Sequence, residues 1–349
     1  MLPALLLLPG CIEELDQETS TIGDVERDCI VPMPVGVTGM GAPVSLEYEG
    51  GSLWIWEAMD LAAGGTVLTP SAFVTSAARV CDEGPLLARD EVGAPTELIA
   101  LSDEESADNA TRADGRSLRL VPHGGFVYEG RGYLFYDHVL VGPGVFDVEE
   151  QGAGLCVVEE ESLTCERIVL DGTTILWGPD AVPMNRGGLV VGDRALVYGC
   201  RRYASFAAYC VVSGAPLDAL TNPNAYQVFN AFDGWVDDPL QATVIAEELG
   251  EMTVRPFTDG YMAITLDPFA PVVHSRRSQG ATDEFERSLE LFDIAPASSW
   301  FVSGGREHYA LHTGEFDLNV TYFTNNTERP GLHLVTYAFH GNDWGDPYQ

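Results

Sequence analysis

Eight polar side chains stand where they could converge: His123, Arg186, Arg255 and His312, with Glu57, Asp137, Asp180 and Glu315 not far off in the chain. Brought to one point, the carboxylates would accept hydroxyl protons and the arginines would offer forked donors. Trp54, Trp56, Tyr133 or Trp177 could stack on the face of a ring-shaped ligand. Such a set suits a polyol or a sugar. Glycoside cleavage asks for more, namely two acids facing each other, about 6.5 to 9.5 Å apart for an inverting reaction. Glu57, Asp137 and Asp180 are the candidates for those acid and base roles, and His123, Arg186, Arg255, His312 and Glu315 for holding the ligand. The plainer reading is that these charges neutralise one another around a narrow wet channel.

Other chemistries find no support. The chain has no lysine, so Schiff-base, cofactor-linking and phosphate-loop lysines are absent. No Gly-x-Ser-x-Gly elbow and no Cys-x-x-Cys occurs. His308 and His312 would sit about 13 Å apart along a strand, too far to share a zinc ion. No cofactor is expected; a calcium ion among the carboxylates is the alternative, although no Asp-x-Asp-x-Asp-Gly loop exists to hold it.

The elements that must position these residues read as strands. An apolar alternating run, a Gly or Asp turn and a second, aromatic-rich run recur. The copies are 42–48 with 52–56, 125–128 with 133–136, 188–191 with 194–198, and 252–257 with 261–266. A looser fifth runs from His308 to Phe323, with a closing strand 332–339. Their turns fall near positions 50, 130, 192, 259 and 314. That period fits one four-stranded propeller blade with long loops better than a sandwich, whose strands come every 8 to 12 residues or so. The expected fold is therefore all-β, a single five-bladed β-propeller of mostly four-stranded blades over residues 36–349; a pair of β-sandwiches is the rival. Residues 282–292 are the one stretch considered for a helix, and the acidic stretch 102–115 reads as a surface loop. In a propeller the innermost strands begin beside the central channel, which brings His123, Arg186, Arg255 and His312 to one mouth.

Gly39-Met40-Gly41-Ala42-Pro43, followed by Gly51-Ser52-Leu53-Trp54-Ile55-Trp56-Glu57, resembles the first blade of the arabinanase and xylosidase type of five-bladed glycoside hydrolase, many of whose relatives have no assigned function. Thr253-Val254-Arg255-Pro256 before Gly260-Tyr261, and His308-Tyr309-Ala310-Leu311-His312 before Val320-Thr321-Tyr322-Phe323, resemble the fourth and fifth blades. The resemblance covers roughly 36–342. It implies a general-base carboxylate at the start of the innermost strand of the first blade, where this chain has Met40, Gly41 and Ala42; Glu57 is the nearest substitute. The expectation is thus a carbohydrate-binding propeller without catalysis. A glycoside hydrolase or lyase at the same mouth is the first alternative and a protein-interaction scaffold the second.

The opening Leu-Leu-Pro-Gly-Cys resembles the end of a bacterial lipoprotein signal, with Cys11 as the lipidated residue. Residues 12–35 then read as an acidic tether. Cysteine parity agrees, because seven cysteines less Cys11 leave six. Cys156 with Cys165 and Cys200 with Cys210 are the locally favoured pairs, leaving Cys29 with Cys81, among fifteen possible connectivities; free thiols are the alternative. The 349 residues carry 18 arginines against 53 acids, a net charge of −35 that would repel nucleic acid and anionic lipid. The expected setting is the bacterial cell envelope, at the outer membrane or cell surface, as a lipid-anchored monomer meeting the membrane through its anchor alone, with a carbohydrate or a surface protein as partner. Mass spectrometry of membrane-extracted protein should find the mature chain starting at a lipidated Cys11; an unmodified Met1 in the soluble fraction is the contrary result.

Overall fold

The structure is a computed structural model describing residues 23–144, 147–159, 163–202, 208–247, 251–257, 260–266, 272–294, 302–314, 317–325 and 329–339. Cys11 and Glu315 lie outside the described residues. The chain begins with β1 (Gly23–Ile30), β2 (Val37–Met40), β3 (Val44–Tyr48), β4 (Gly51–Ile55), β5 (Ala58–Leu61), β6 (Thr66–Leu68) and β7 (Ser71–Val74), then α1 (Ala77–Glu83) and α2 (Asp103–Thr111). Next come β8 (Ser117–Tyr128), β9 (Arg131–Val141), β10 (Val148–Glu159), β11 (Thr164–Arg167), β12 (Gly187–Val191), β13 (Arg194–Arg202), β14 (Ala208–Pro216), β15 (Gln227–Asn230), β16 (Gly234–Val236) and β17 (Ala246–Glu247). The last are β18 (Glu251–Phe257), β19 (Gly260–Leu266), β20 (Val272–Ser278), β21 (Glu286–Asp293), β22 (Val302–Glu307), β23 (Asp317–Thr324) and β24 (Gly331–Phe339).

The fold is mostly β. Among the described residues the strands form six antiparallel sheets, ordered β2-β5-β6, β3-β4-β7, β8-β9-β10-β11, β12-β13-β14-β15-β16 with β17 beside β14, β18-β19-β20-β21 and β22-β23-β24-β1. Alternation builds them: in β3, Val44, Leu46 and Tyr48 are buried in the core while Ser45 and Glu47 point the other way. Glu129 and Gly130, both at positive φ (51° and 76°), make the two-residue hairpin turn that joins β8 to β9. The first strands of successive sheets lie side by side, β3 against β8, β8 against β12, β12 against β18 and β18 against β22. After β22 a 3₁₀ turn, Tyr309–Leu311, rests on β3 and β4.

Four expectations change. Residues 102–115 contain α2: Ser102 caps it and Glu105 completes the capping box, yet the helix buries none of its residues, so no apolar stripe announces it. Residues 282–292 hold β21 in place of a helix. The fifth unit starts at β22, ahead of His308, and the His308 segment is a 3₁₀ turn. Gly304 and Gly305 hide that strand in the sequence; Gly304, at φ 92°, lies so close to the first sheet that an added Cβ would meet the Cβ of Ala42 at 2.6 Å. Finally, 23–30 of the supposed tether form β1, the outer strand of the last sheet, paired antiparallel with β24. Its burial pattern is almost wholly exposed, which explains its solvated composition.

Three disulfides join Cys29 to Cys81, Cys156 to Cys165 and Cys200 to Cys210, the connectivity favoured by spacing. Cys200 and Cys210 are direct cross-strand partners, with Cα atoms 4.0 Å apart. Cys29 sits on β1 in the last sheet and Cys81 on α1 behind the first, so this bridge fastens one end of the chain's circuit to the other. A hydrophobic cluster lies beneath it, where Trp54, Trp56 and Val80 meet Leu311, Leu332 and Leu334. With its cysteines 52 positions apart in the chain, loop entropy assigns the bridge about 4 kcal/mol. The Cys29→Ser, Cys81→Ser double variant should therefore unfold at a clearly lower temperature in a calorimetric scan, and an unchanged melting point would show that β1 and the buried cluster hold the closure without it.

Candidate functional site

The first strands β3, β8, β12, β18 and β22 surround a small polar cavity of about 40 Å3. Ser45 and Glu47 reach it from β3, Gly124 and Gly125 from β8, Arg186, Gly187 and Gly188 from the start of β12, Thr253 and Val254 from β18, and Arg306, Glu307 and Tyr309 from β22 and its turn. That volume holds two or three waters, far below the ~300 Å3 at which small-molecule pockets begin. A space of this size admits a small group and no ring-sized ligand.

Two carboxylates are locked into this centre. Glu47 accepts from the Ser52 hydroxyl and from the Ala310 N–H, each at 2.9 Å, and also from Ser45; its carboxylate lies 3.6 Å from His308 Nδ1. His308 is fully buried, bonded through Nε2 to Thr321 Oγ1 at 2.7 Å, with its ring 4.7 Å from that of Trp54. Glu307, whose side chain is 1% exposed, is paired with Arg255 at 2.8 Å and His312 at 3.1 Å. Among the described residues no group of three His, Cys, Asp or Glu side chains is arranged to hold a metal ion.

The sequence-derived residues divide accordingly. Arg255 and His312 meet on Glu307, and Arg186 lines the same cavity. His123 and Asp137 form a separate dyad, 2.7 Å apart and each largely buried, beside this centre: the carbonyl oxygen of His123 accepts from Arg306 Nη1 at 2.9 Å. The ladder between β8 and β9 shifts register at His123, and that bulge turns its side chain toward Asp137. Glu57 and Asp180 are exposed and border no part of the cavity. The aromatic candidates are corrected: Trp54 and Trp56 are fully buried, Tyr133 stacks on Phe126, and Trp177 packs against Phe135 and Tyr226, so none offers a face to a ligand at the cavity. His308 and His312 serve different carboxylates.

Glu47, Arg306, Glu307 and Tyr309 were not foreseen. The signal for Glu47 was the polar half of the alternation in Val-Ser-Leu-Glu-Tyr; Arg306 and Glu307 followed a glycine pair that reads as loop. Tyr309 is 41% exposed and is the aromatic side chain that borders the cavity. Loss of water around its hydroxyl, with the carboxylates of Glu47 and Glu307, pushes the phenol above the ordinary tyrosine range, so it stays a neutral donor.

A second polar cluster fixes α2. Arg167 holds Glu105 in a fork at 2.6 and 2.7 Å and donates to the Tyr136 hydroxyl at 3.0 Å, while His138 Nε2 lies 3.1 Å from both Arg167 Nη2 and Thr174 Oγ1. Burial first, then the Arg167 charge, press His138 down from 6.5 to about 4. Burial works against ionisation of Glu105, but hydrogen bonds from Arg167 and the Ser102 N–H prevail and lower it from 4.5 to about 2.

No protein-family model matches the chain, and no curated protein matches it either. Solved structures do. A Bacteroides ovatus protein of presumed hydrolase activity is 14% identical with a TM-score of 0.55, over 89% of this chain and 87% of that one. Zg3597, a family 117 glycoside hydrolase from the marine bacterium Zobellia galactanivorans, is 12% identical with a TM-score of 0.51, over 93% and 92% of the two chains. At such identities the likeness concerns the fold alone: this chain has the fold of the propeller-type glycoside hydrolases.

His138 and Glu105 both have native values below their unfolded ones, so each contributes stability at neutral pH that acid removes. The His138 share should drain away from about pH 6.5 down to about 4, and the Glu105 share from about 4.5 to about 2. Melting temperatures measured across this range should fall, with a shallower fall between pH 6.5 and 4 in His138→Gln; an identical slope in that variant would contradict the assignment.

Proposed function

We propose that this chain is a five-bladed β-propeller that binds a carbohydrate or a related ligand at its central mouth without turning it over, at the bacterial cell envelope and anchored through Cys11. Five first strands in lateral succession support the blade count, with the short sheet β2-β5-β6 as an accessory to the first blade. The observation that carries the function is the state of the carboxylates at the centre: Glu47 is engaged by three hydrogen-bond donors, and Glu307 lies within ion-pair distance of Arg255 and His312. A glycosidase needs one carboxylate to activate water and a second group to protonate the leaving oxygen. Here both central carboxylates serve as struts, and Ala42 stands just ahead of the first inner strand, where the resemblance asks for a base. A sugar pocket survives that loss, because hydroxyls bind to arginines, serines and a tyrosine without any activated water.

Hydrolysis is the second reading, favoured by the His123–Asp137 dyad, since a histidine oriented by a carboxylate is a competent proton acceptor. The two are separated by a glycan array run beside a reducing-sugar release assay on the same polymers. Binding without release is the expected result. Release that disappears in Asp137→Asn would establish the hydrolase, and silence in both assays would turn attention to a protein partner.

A further inference from the structure

We infer that strand β1 is held against β24 by a proton, with His333 acting as a charged clamp whose deprotonation loosens the strand. The His333 ring is buried and lies between two acceptors. Its Nδ1 stands 3.0 Å from Asp28 Oδ1, and its Nε2 stands 3.0 Å from the carbonyl oxygen of Arg329. Neither an ionised carboxylate nor a carbonyl has a hydrogen to give. Burial works against ionisation of Asp28, but hydrogen bonds from His333 and Arg329 prevail and hold its carboxyl below the usual carboxylate range. A neutral imidazole carries one N–H and would turn a lone pair toward one of these oxygens; the imidazolium donates to both. His138 has the opposite arrangement, for its Nε2 faces a donor, Arg167 Nη2.

The clamp spans the seam of the last sheet. Asp28 lies on β1 and His333 on β24, while Arg329, in the turn before β24, donates to the second oxygen of Asp28. On β23 the Tyr322 ring stacks on the imidazole, centroids 4.7 Å apart and planes at 10°, a geometry that favours a cation. Other charges on the neighbouring elements are turned elsewhere: on α1 Arg79 pairs with Glu83 and Asp82 is exposed, and on β21 Glu290 and Asp293 are exposed. Because β1 buries so little, its hold on β24 rests on the ladder, this clamp and the Cys29–Cys81 bridge next to Asp28. The bridge keeps a loosened strand attached. The folded arrangement favours the protonated ring, so by linkage the contribution of the clamp is lost as the pH rises and the proton passes to solvent, the reverse of His138 and Glu105. Lifting β1 uncovers the edge of β24, a row of backbone donors and acceptors open to another strand.

The test is nuclear magnetic resonance of the unaltered, disulfide-bonded protein with nitrogen-labelled histidine, read beside hydrogen exchange of the β1 amides from about pH 5.5 to about pH 9.5, each rate corrected for its intrinsic pH dependence. Wherever β1 is protected, both ring nitrogens of His333 should carry hydrogen. As the ring loses one, protection at residues 27–30 should fall at least tenfold while β18 and β23 keep theirs. His333→Gln, whose amide cannot donate in both directions, should show the lowered protection at every pH, and Asp28→Asn should release the ring proton at a lower pH than the unaltered protein. A bare ring nitrogen in a fully protected β1 overturns the clamp, and so does protection that does not follow the ring's titration. A ring that keeps both hydrogens to the alkaline end overturns the loosening. Because ring and strand are both read on the unaltered protein, a variant that fails to fold leaves the decision unaffected.

Discussion

Glu47 places a carboxylate that is 7% exposed in the angle between the first inner strand and the last turn of the circuit. A buried charge costs several kcal/mol unless it is fully engaged, and its donors come from both ends of the described chain: Ser45 and Ser52 from the β3–β4 hairpin, Ala310 from the turn after β22. The sheet that follows that turn must therefore come back beside the first one. Around this contact the remaining closures fall into line, with His308 stacked on Trp54, Leu311, Leu332 and Leu334 packed under Trp54 and Trp56, β1 added to the edge of β24, and Cys29 bonded to Cys81. Antiparallel pairing of the first described strand with the last also covers a sheet edge that would otherwise stand open.

Closing the circuit this tightly decides what the centre can do. Close packing sets glycines at 125 and 188, where an added Cβ would strike the backbone of the paired strand in the same sheet, at Tyr133 of β9 and at Leu196 of β13. What remains is a space for a few waters, bordered by charged groups. The Glu47 carboxylate, held by three donors, is pre-organised. The His123–Asp137 dyad stands apart from these struts, beside the bulge in the β8–β9 ladder.

Sequence determined the local grammar of the protein. Alternation and turn residues located both strands of four hairpins near their observed bounds, since side-chain period and positive-φ glycines are properties of a few adjacent residues. Spacing and parity favoured three disulfides for the same kind of reason, two of them being local to a hairpin. Arg186, which lines the cavity, and Arg255 and His312, which meet on Glu307, stand in or beside elements that the repeats marked, whereas His123 pairs with Asp137 to one side. Tertiary structure alone decided the rest. α2 is held by the Arg167–Glu105 fork across 62 residues, which no window of sequence contains. β1 is a strand because β24 lies beside it, and β22 survives two glycines because Ala42 packs against Gly304 and Leu266 of β19 against Gly305. Trp54 and Trp56 looked like platforms for a sugar and became core because closure buried both of their faces. Glu47 and Glu307 acquired their roles only when partners up to 263 residues away arrived, for the engagement of a buried charge depends on the whole circuit and on no single segment of it.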